Sequence, residues 1–414
     1  MKNKLNVLCA AVLASTLVAC ASPSNSAKDA ANDGLIGSTT TAIEYTKAEV
    51  SADFIKGADI STLIDMEKSG FVFKDENGNP KDCLQILKDN GVNYIRLRLW
   101  NDPKDENGNY YGAGNNDLAT DIAIAKRAKA LGMKFLLDFH YSDFWTDPGK
   151  QIKPKAWEKL SFEELNTAIY DYTKSVVKEL KAQGVMPDMV QIGNEINSGI
   201  LWPEGKSWGG DGHEFDRLSQ LLKSAIKGFN EGKGDSVCPV MLHLAKGTDN
   251  GAFKWWFDEI TKRDVQFDLI GMSMYTWWDG SIPTLQSNID WVEKQYHKDV
   301  IVVEGGYPYS LENDDNLGPD IDEEGVKKSG YAATVNGQYL YLKDLMQGID
   351  KVGGKGFFYW EPAWKTGEGI TWSTPAGMKY INCGAECQMG NSRENQALFD
   401  KDGKVLPSIK VFNN

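Results

Sequence analysis

Eight short apolar segments alternate with longer amphipathic segments after residue 53, and this alternation is the feature that most restricts the fold. Each apolar segment consists almost entirely of hydrophobic or β-branched residues, as expected for parallel strands that are buried on both faces. Eight strand–helix units within about 360 residues predict an α/β protein with a single (β/α)8 TIM barrel. The predicted strands are Phe54–Ile60, Tyr94–Trp100, Lys134–Tyr141, Met189–Ile196, Pro239–Leu244, Leu269–Tyr275, Asp299–Gly305 and Gly356–Trp360.

The segments between these strands have the spacing of amphipathic helices. Apolar residues recur three and four positions apart in Asp117–Leu131 and Glu163–Gln183, and Gly132 and Gly184 follow where a helix would end. A doubly wound sheet is the alternative, but it would need a glycine-rich phosphate loop after the first strand, and Gly57–Ile60 provides none. Three further predicted helices are Phe215–Asn230, Phe253–Arg263 and Gln338–Lys351.

Long connections follow five of the predicted strands. In a barrel such connections lie on the C-terminal face, where active sites are built. No boundary of a second domain is visible after residue 50, so residues 51–414 are predicted to form one catalytic domain with long loops on that face. The long connections are Asn101–Leu118, Ser142–Phe162, Asn197–Glu214, Tyr307–Tyr331 and Glu361–Leu398.

The N-terminus has the features of an export signal. A basic start precedes the apolar segment Leu5–Ala19, which is too short to span a bilayer comfortably. Leu17–Cys20 resembles a bacterial lipobox, which implies that residues 1–19 are a lipoprotein signal peptide and that Cys20 is lipidated. An ordinary secretory signal or an uncleaved anchor is the alternative. Residues 20–50 lack apolar periodicity and predict a flexible tether. We therefore expect an exported lipoprotein of the bacterial cell envelope, at the outer membrane or cell surface.

Composition excludes several classes of ligand. The formal net charge is −13 and no basic run occurs, so nucleic acid is not an expected partner. The four histidines are not paired at metal-ligand spacing, so no catalytic metal or other cofactor is expected. The 13 tryptophans can fill a core or form platforms for sugar rings. We expect a monomer that contacts the membrane only through its lipid anchor.

Polar side chains end or interrupt the apolar strands. Burying an unpaired charge is unfavourable, so each of these residues needs a partner or a chemical task. A structural ion pair or hydrogen bond is the simpler interpretation for Arg98, Asp138 and His243. The full set is Arg96, Arg98, Asp138, His140, Asn194, Glu195, His243, Tyr275, Glu304, Trp360 and Glu361.

Two of these residues, Glu195 and Glu304, end the fourth and seventh strands and stand out as a pair. Glycan hydrolysis needs one carboxyl group to protonate the leaving oxygen and a second to attack the anomeric carbon or to activate water. A separation of about 5–5.5 Å would make the second group a nucleophile, and the reaction would retain configuration. The pair therefore predicts a glycosidase.

Several long motifs carry a resemblance to one family. They resemble the arabinogalactan endo-β-1,4-galactanases of glycoside hydrolase family 53, which belong to a retaining clan with catalytic glutamates on strands four and seven. The similarity runs from about Phe54 to the C-terminus. The matching segments are Asn93–Pro103, Leu136–Trp145, Asp147–Gln151, Pro154–Trp157, Val190–Glu195, Phe358–Trp364 and Glu394–Asp400.

The resemblance implies a role for each matching residue. Glu195 would be the general acid and then the general base, and Glu304 the nucleophile. The substrate would be β-1,4-galactan, the side chain of pectin, cut at internal bonds. The remaining implied roles are Arg96, His140 and Tyr275 around the nucleophile, Asn194 on the sugar 2-hydroxyl, Trp360 under the −1 sugar, and Trp100, Trp145 and Trp364 at other subsites.

Three loops depart from the family pattern: Gly305–Tyr309, Leu244–Asn250 and Met274–Gly280. These changes keep open a related endo-hydrolase that acts on another β-1,4-glycan, such as mannan or glucan. A third possibility is a non-catalytic glycan-binding lipoprotein. The presence of both Glu195 and Glu304 argues against it, because a dead site has no need for two carboxylates.

Two smaller features concern ions and cysteines. Some family members hold a structural calcium between the loops after strands seven and eight, where Asp315 and Glu394 fall, although Pro319 stands at an expected oxygen ligand. Cys383 and Cys387 form a close pair that suggests a small disulfide loop in an oxidising compartment. The sequence leaves open whether Cys83 and Cys238 pair with each other.

Overall fold

The computed structural model describes residues 32–39 and 41–414, so the predicted signal peptide 1–19 and Cys20 lie outside the described residues. Eight parallel strands close into a barrel in the order β1-β8-β7-β6-β5-β4-β3-β2, which confirms the predicted TIM barrel. The strands are β1 Ile55–Asp59, β2 Tyr94–Leu99, β3 Lys134–Phe139, β4 Met189–Ile192, β5 Val240–Leu244, β6 Leu269–Met274, β7 Asp299–Gly305 and β8 Gly356–Trp360.

All eight predicted strands are present, and the largest difference is at the end of β4. This strand ends at Ile192 rather than Ile196. Gly193 and Glu195 have φ values of 88° and 47°, which turn the chain out of the extended conformation. A short antiparallel hairpin, Gly199–Ile200 with Gly205–Lys206, follows in the next loop.

Helices surround the barrel, and local signals explain where they begin. Ser161 and Glu164 form a capping box at the start of the longest helix. The structure also contains Ile282–Tyr296, a helix that we did not predict, although Ser281 caps it and a proline lies in its first turn. The helices are α1 Leu63–Lys68, α2 Cys83–Asp89, α3 Leu118–Ala130, α4 Phe162–Ala182, α5 Glu214–Lys233, α6 Asn250–Thr261, α7 Thr276–Asp279, α8 Ile282–Tyr296, α9 Glu323–Ser329, α10 Val335–Lys351 and α11 Pro375–Tyr380.

The inside of the barrel has an apolar layer with a polar layer above it. One apolar cluster takes residues from seven of the strands and is separate from the core between strands and helices. Residues two apart on a strand point to the same side, so the residue two positions further along lies one layer nearer the C-terminal face. Five strands repeat this step from apolar to polar or amphipathic: Tyr94 to Arg96, Leu136 to Asp138, Met189 to Gln191, Met241 to His243, and Phe358 to Trp360.

Part of the segment predicted as a tether contacts the barrel. The hydroxyl of Tyr45 donates to Asn336 at 2.5 Å, and the backbone N–H of Thr46 donates to Tyr339 at 2.9 Å. Ala48 is buried. Residues 43–50 therefore lie against α10. The sequence did not predict this position, because a few scattered side chains hold a segment that lacks apolar periodicity.

The cysteines fall into two groups. Cys383 and Cys387 are joined by a disulfide. Cys83 and Cys238 are both buried and both free, so they do not pair with each other. Within residues 32–39 and 41–414, no helix is long and apolar enough to cross a membrane.

Candidate active site

The two glutamates predicted as a pair meet at the C-terminal face of the barrel. One carboxyl oxygen of Glu195, one of Glu304 and a ring nitrogen of His243 all lie within 4.8 Å of one another. This spacing fits the separation of about 5–5.5 Å in retaining glycosidases and is too short for the water-sized gap of about 6.5–9.5 Å in inverting ones. Glu304 is buried and Glu195 is partly exposed.

Glu195 has a backbone conformation that is unusual for a residue with a side chain. Its φ of 47° and ψ of 52° lie in the left-handed region, immediately after β4. A non-glycine residue in this region is disfavoured, and such residues cluster at functional sites where the surrounding structure holds them. The turn brings the carboxyl group of Glu195 towards β6 and β7.

Charged and polar donors surround Glu304. The hydroxyl of Tyr275 donates to Oε1 of Glu304 at 3.0 Å, and the guanidinium of Arg96 lies 3.4 Å from Oε2. Arg96 is itself fixed by ion pairs of 2.8 Å with Asp59 and of 2.8 Å with Asp138. The environment of Glu304 is therefore suited to a carboxylate anion in a fixed orientation.

The side chain that donates a hydrogen bond to the Glu195 carboxyl group is neutral. The hydroxyl of Ser273 donates to Oε1 of Glu195 at 2.6 Å. Nε2 of His243 lies 2.9 Å from the Ser273 oxygen, and Nδ1 of His243 accepts the backbone N–H of Glu195 at 3.3 Å. Among the residues that the structure describes, no lysine or arginine forms an ion pair with Glu195.

These environments separate the pKa values of the two glutamates. Burial, and then the negative charge of Glu304, raise the pKa of Glu195 well above its ordinary value. Burial also raises the pKa of Glu304, but the charge of Arg96 and the hydroxyl of Tyr275 oppose that rise. When two carboxyl groups share a site, the one with less support for its charge keeps the proton. These surroundings favour protonation of Glu195 before Glu304.

The structure places Asn194 beside the pair but moves His140 away from the expected position. Oδ1 of Asn194 accepts from Arg96 at 3.0 Å, and Nδ2 donates to the carbonyl of Thr146 at 2.9 Å, which leaves one N–H free. In the described part of the chain, His140 makes no hydrogen bond or ion pair with Glu304. Its Nε2 lies 3.2 Å from Asp138, so it orients the partner of Arg96 instead.

The predicted tryptophan subsites divide into two kinds. Trp145 and Trp360 are partly exposed, with ring centroids 6.0 Å apart, and can offer a face to a sugar. Trp100 is completely buried and Trp364 is 2% exposed. A buried ring has no free face, so the expectation that Trp100 and Trp364 bind sugar directly is not met. They pack behind the wall of the cleft, where Trp100 donates its indole N–H to His140 at 3.3 Å.

Several residues of the site were not singled out from the sequence. Gln191 links the two halves of the site, because its Oε1 accepts from Arg96 at 3.3 Å and its Nε2 lies 3.0 Å from His243. Asp59, Gln191 and Ser273 all occupy the polar layer of the barrel. For Gln191 the sequence did carry a signal, because it lies two residues after Met189, an apolar residue of the barrel interior. Ser273 follows a register shift between β6 and β7, which hides it from that pattern.

Arg393 also reaches the cleft. Its guanidinium carbon lies 4.7 Å from the ring centroid of Tyr275 and 4.9 Å from that of Trp360. Asp320 pairs with it at 2.5 Å. This arginine comes from a long loop after β8 that has no periodic pattern, so no signal in the sequence pointed to it.

The glycine that directly follows Glu304 has a structural explanation. A Cβ atom at Gly305 would lie 2.7 Å from the carbonyl oxygen of Met274 on β6. A side chain there would push apart the two strands that carry Ser273 and Glu304. This departure from the family pattern therefore reflects close packing of β6 against β7.

Of the two expected calcium ligands, Asp315 is fully hydrogen-bonded, whereas Glu394 keeps one buried carboxyl oxygen, Oε2, without a partner among the described residues. Calcium prefers 6–8 oxygen ligands. Both carboxyl oxygens of Asp315 already accept backbone N–H groups, from Leu317 at 2.7 Å and Asn391 at 2.6 Å. The buried ammonium group of Lys365 donates to the carbonyl oxygen of Glu394 at 2.6 Å. A lysine thus supplies the positive charge between these loops, and it would repel a metal cation.

Comparisons with known proteins agree with this geometry. The family model described as "Glycosyl hydrolase family 53" matches residues 55–412. The chain is 38% identical to "Endo-beta-1,4-galactanase" of Bacillus subtilis, over 88% of this chain and 86% of that protein. It is 37% identical to "Arabinogalactan endo-beta-1,4-galactanase" of Cellvibrio japonicus, over 90% and 93%. The solved "Ignisphaera aggregans GH53 catalytic domain" superposes with a TM-score of 0.82 at 38% identity and covers 90% of this chain and 99% of its own.

Proposed function

This chain belongs to glycosyl hydrolase family 53, and from that membership we propose that it cuts internal β-1,4-galactosidic bonds of type I arabinogalactan and pectic galactan. We further propose that Glu195 is the acid/base and Glu304 the nucleophile of a retaining double displacement. The observation that supports these roles is the approach of the two carboxyl groups to within 4.8 Å, in opposite electrostatic surroundings. No cofactor takes part in this chemistry.

In the first step a carboxylate oxygen of Glu304 attacks the anomeric carbon as the glycosidic bond breaks. The proton of Glu195 moves to the leaving oxygen, so the leaving chain departs as a neutral alcohol. Glu304 is then a glycosyl ester and Glu195 a carboxylate. We propose that the remaining N–H of Asn194 donates to the sugar 2-hydroxyl, a contact that strengthens as the oxocarbenium character grows.

In the second step a water molecule attacks the anomeric carbon and gives its proton to Glu195, while the bond to Glu304 breaks. The pKa of Glu195 falls once Glu304 has become a neutral ester, because the second cause of its elevation is the charge of Glu304. The same residue therefore serves as an acid in the first step and a base in the second. The original protonation states return when Glu304 is released.

The cleft has the surfaces that a neutral galactan needs. Trp145 and Trp360 offer ring faces to the apolar sides of sugars. Trp278, in one of the loops that depart from the family pattern, is 57% exposed and lies 5.4 Å from Arg393. A neutral polymer is indifferent to the net charge of −13, whereas an acidic one would be repelled. We propose that these residues line the subsites.

A substrate panel tests the activity. The protein is incubated with β-1,4-galactan, galactomannan, xylan and cellulose, and new reducing ends and product lengths are measured. We expect short galacto-oligosaccharides from galactan and no products from the other three. Products from mannan or glucan alone would replace the galactan assignment, and binding without new reducing ends would contradict catalysis altogether.

Azide rescue tests the two roles separately. In Glu304→Ala, azide should attack an activated substrate from the face that the nucleophile used and give an α-linked sugar azide. In Glu195→Ala, azide should attack the glycosyl-enzyme and give a β-linked sugar azide. The same product from both variants would contradict the assignment.

We also propose that the enzyme is a monomeric lipoprotein of the cell envelope. The lipobox-like segment Leu17–Cys20 and the basic, apolar start of the chain support this location. Labelled palmitate should enter the full-length protein and not Cys20→Ala, which should also leave the membrane fraction. Light scattering on the purified soluble part should give the mass of one chain.

A further inference from the structure

Three polar residues form a chain of hydrogen bonds that ends on Glu195. Gln191, His243 and Ser273 come from β4, β5 and the end of β6, and all three are buried. Among the described residues, Ser273 makes the one hydrogen bond to the Glu195 carboxyl group, at 2.6 Å to Oε1. The function of these three residues depends on which group donates in each hydrogen bond.

The direction is fixed first at Gln191. Its Oε1 faces the Nε–H of Arg96 at 3.3 Å, and its Nε2 faces Oδ1 of Asp138 at 2.7 Å. A guanidinium can only donate and a carboxylate can only accept, so the amide group has one orientation. Nε2 of Gln191 is therefore the donor towards Nδ1 of His243 at 3.0 Å.

The tautomer of His243 follows. Nδ1 faces two N–H donors, the side chain of Gln191 and the backbone of Glu195, so it must be the acceptor. A neutral imidazole has one donor and one acceptor, which places the hydrogen on Nε2. Burial, and then the nearby charge of Arg96, hold the pKa of His243 well below its ordinary value, so the ring stays neutral.

The Ser273 hydroxyl is then left with one role towards Glu195. Nε2–H of His243 donates to the Ser273 oxygen at 2.9 Å, so the Ser273 hydrogen points to Oε1 of Glu195. Because Oε1 accepts this hydrogen bond whether Glu195 is protonated or charged, it is a poor place for the carboxyl proton. Among the described residues Oε2 has no hydrogen-bond partner, and Glu195 is partly exposed to the cleft.

We infer that Ser273 and His243 are positioning residues that hold the catalytic proton on Oε2 of Glu195, the oxygen that is free to meet the glycosidic oxygen. This inference rests on the proposed role of Glu195 as acid/base. A neutral donor suits the task, because a cation at the same place would stabilise the carboxylate and release the proton too early. The serine orients the acid and still leaves it protonated.

The test compares Ser273→Ala with Ser408→Ala. Ser408 is also buried, and its hydroxyl donates to a neutral side chain, Gln338, at 2.5 Å rather than to either glutamate of the site. The pH profile of kcat/KM is measured on galactan and on a galactobioside with a dinitrophenol leaving group, which departs without a proton. Ser273→Ala loses its hydrogen bonds with His243 and Glu195, and Ser408→Ala loses its bond to Gln338, so Ser408→Ala controls for the removal of a buried hydroxyl.

We expect Ser273→Ala to lower kcat/KM on galactan by about 10–100-fold and to lower it far less on the dinitrophenol substrate. The Ser273 hydroxyl lowers the pKa of Glu195, so its removal should move the alkaline limb of the profile upward. Glu304, Asp147 and Asp279, the charged groups that also act on Glu195, are unchanged in this variant. Ser408→Ala should change neither the ratio of kcat/KM on the two substrates nor the pH of the alkaline limb.

Equal losses on the two substrates with an unmoved alkaline limb would overturn the inference, because the serine would then only fill space. Failure of the wild-type protein to cut galactan, or azide products that reverse the two roles, would instead overturn the proposed function. The two failures are therefore distinguishable.

Discussion

The two halves of the site hold their glutamates in opposite ways. Glu304 lies among charges, with Arg96 fixed between Asp59 and Asp138 and a hydroxyl from Tyr275. Glu195 lies 4.8 Å away or less and is contacted by an uncharged hydroxyl that an uncharged imidazole orients. A barrel can therefore place two identical side chains at the ends of different strands and surround them with neighbours that favour different protonation states.

The largest expected loss of activity follows a change in the charged half of the site, the half that contains Glu304, Arg96 and Tyr275. Glu304→Ala should lower kcat/KM by about 10⁵-fold or more on both galactan and a dinitrophenol substrate, because no covalent intermediate can form. The two substrates should lose activity to a similar extent. A loss on galactan alone would mean that Glu304 transfers a proton rather than attacks the sugar.

Removal of the proton donor should have a smaller and more selective effect. Glu195→Gln should lower kcat/KM on galactan by about 10²–10⁴-fold, the usual contribution of a general acid. The formation of the glycosyl-enzyme from a dinitrophenol substrate, followed as a burst, should be almost unchanged. An equal loss in both reactions would contradict the division between the two halves.

Arg96→Met should destabilise the folded protein as well as the reaction. The change leaves Asp59 and Asp138 buried without their shared partner, and breaking a buried ion pair costs about 3–5 kcal/mol of unfolding free energy. Urea denaturation measures this loss. Arg127→Met is the control, because that arginine is partly exposed in its pairs with Glu67 and Asp82, and exposed pairs contribute about 1 kcal/mol or less each. Equal losses would mean that the charged half does not stabilise the fold.

Tyr275→Phe isolates one hydrogen bond to the nucleophile. We expect a fall in kcat/KM of about 10–100-fold, the range for a hydrogen bond to a charged group. The Tyr275 hydroxyl lowers the pKa of Glu304, so without it Glu304 stays protonated to a higher pH and the acid limb of the profile moves upward. Tyr341→Phe is the control, because the Tyr341 hydroxyl is buried without a partner among the described residues. An unmoved acid limb in Tyr275→Phe would contradict this role.

The smallest expected effect is that of a chelator. Lys365 occupies the space between the loops after β7 and β8, so EDTA should change neither the melting temperature nor the activity. Thermal unfolding with and without EDTA checks this. A lower melting temperature that calcium restores would show that the loops hold a metal after all.

Sequence patterns predicted the scaffold and the reacting pair but not the difference between the two halves. Runs of β-branched residues define the strands, and glutamates that interrupt such runs are conspicuous because buried charges are rare. Ser273 was missed because a serine in an apolar strand has no such signal. Trp100 was misjudged because a tryptophan that packs behind a cleft and one that lines it look the same in a sequence.

Carbon-13 NMR of the side-chain carboxyl groups tests directly whether Glu195 holds the proton while Glu304 is ionised. Protein labelled at the glutamate Cδ is titrated with acid, and the two signals are assigned by their absence in Glu195→Gln and Glu304→Gln. We predict that the Glu195 signal changes at a higher pH than the Glu304 signal, so that an interval of pH exists in which only Glu195 is protonated. A Glu304 carboxyl that remains protonated when Glu195 is ionised would contradict the account.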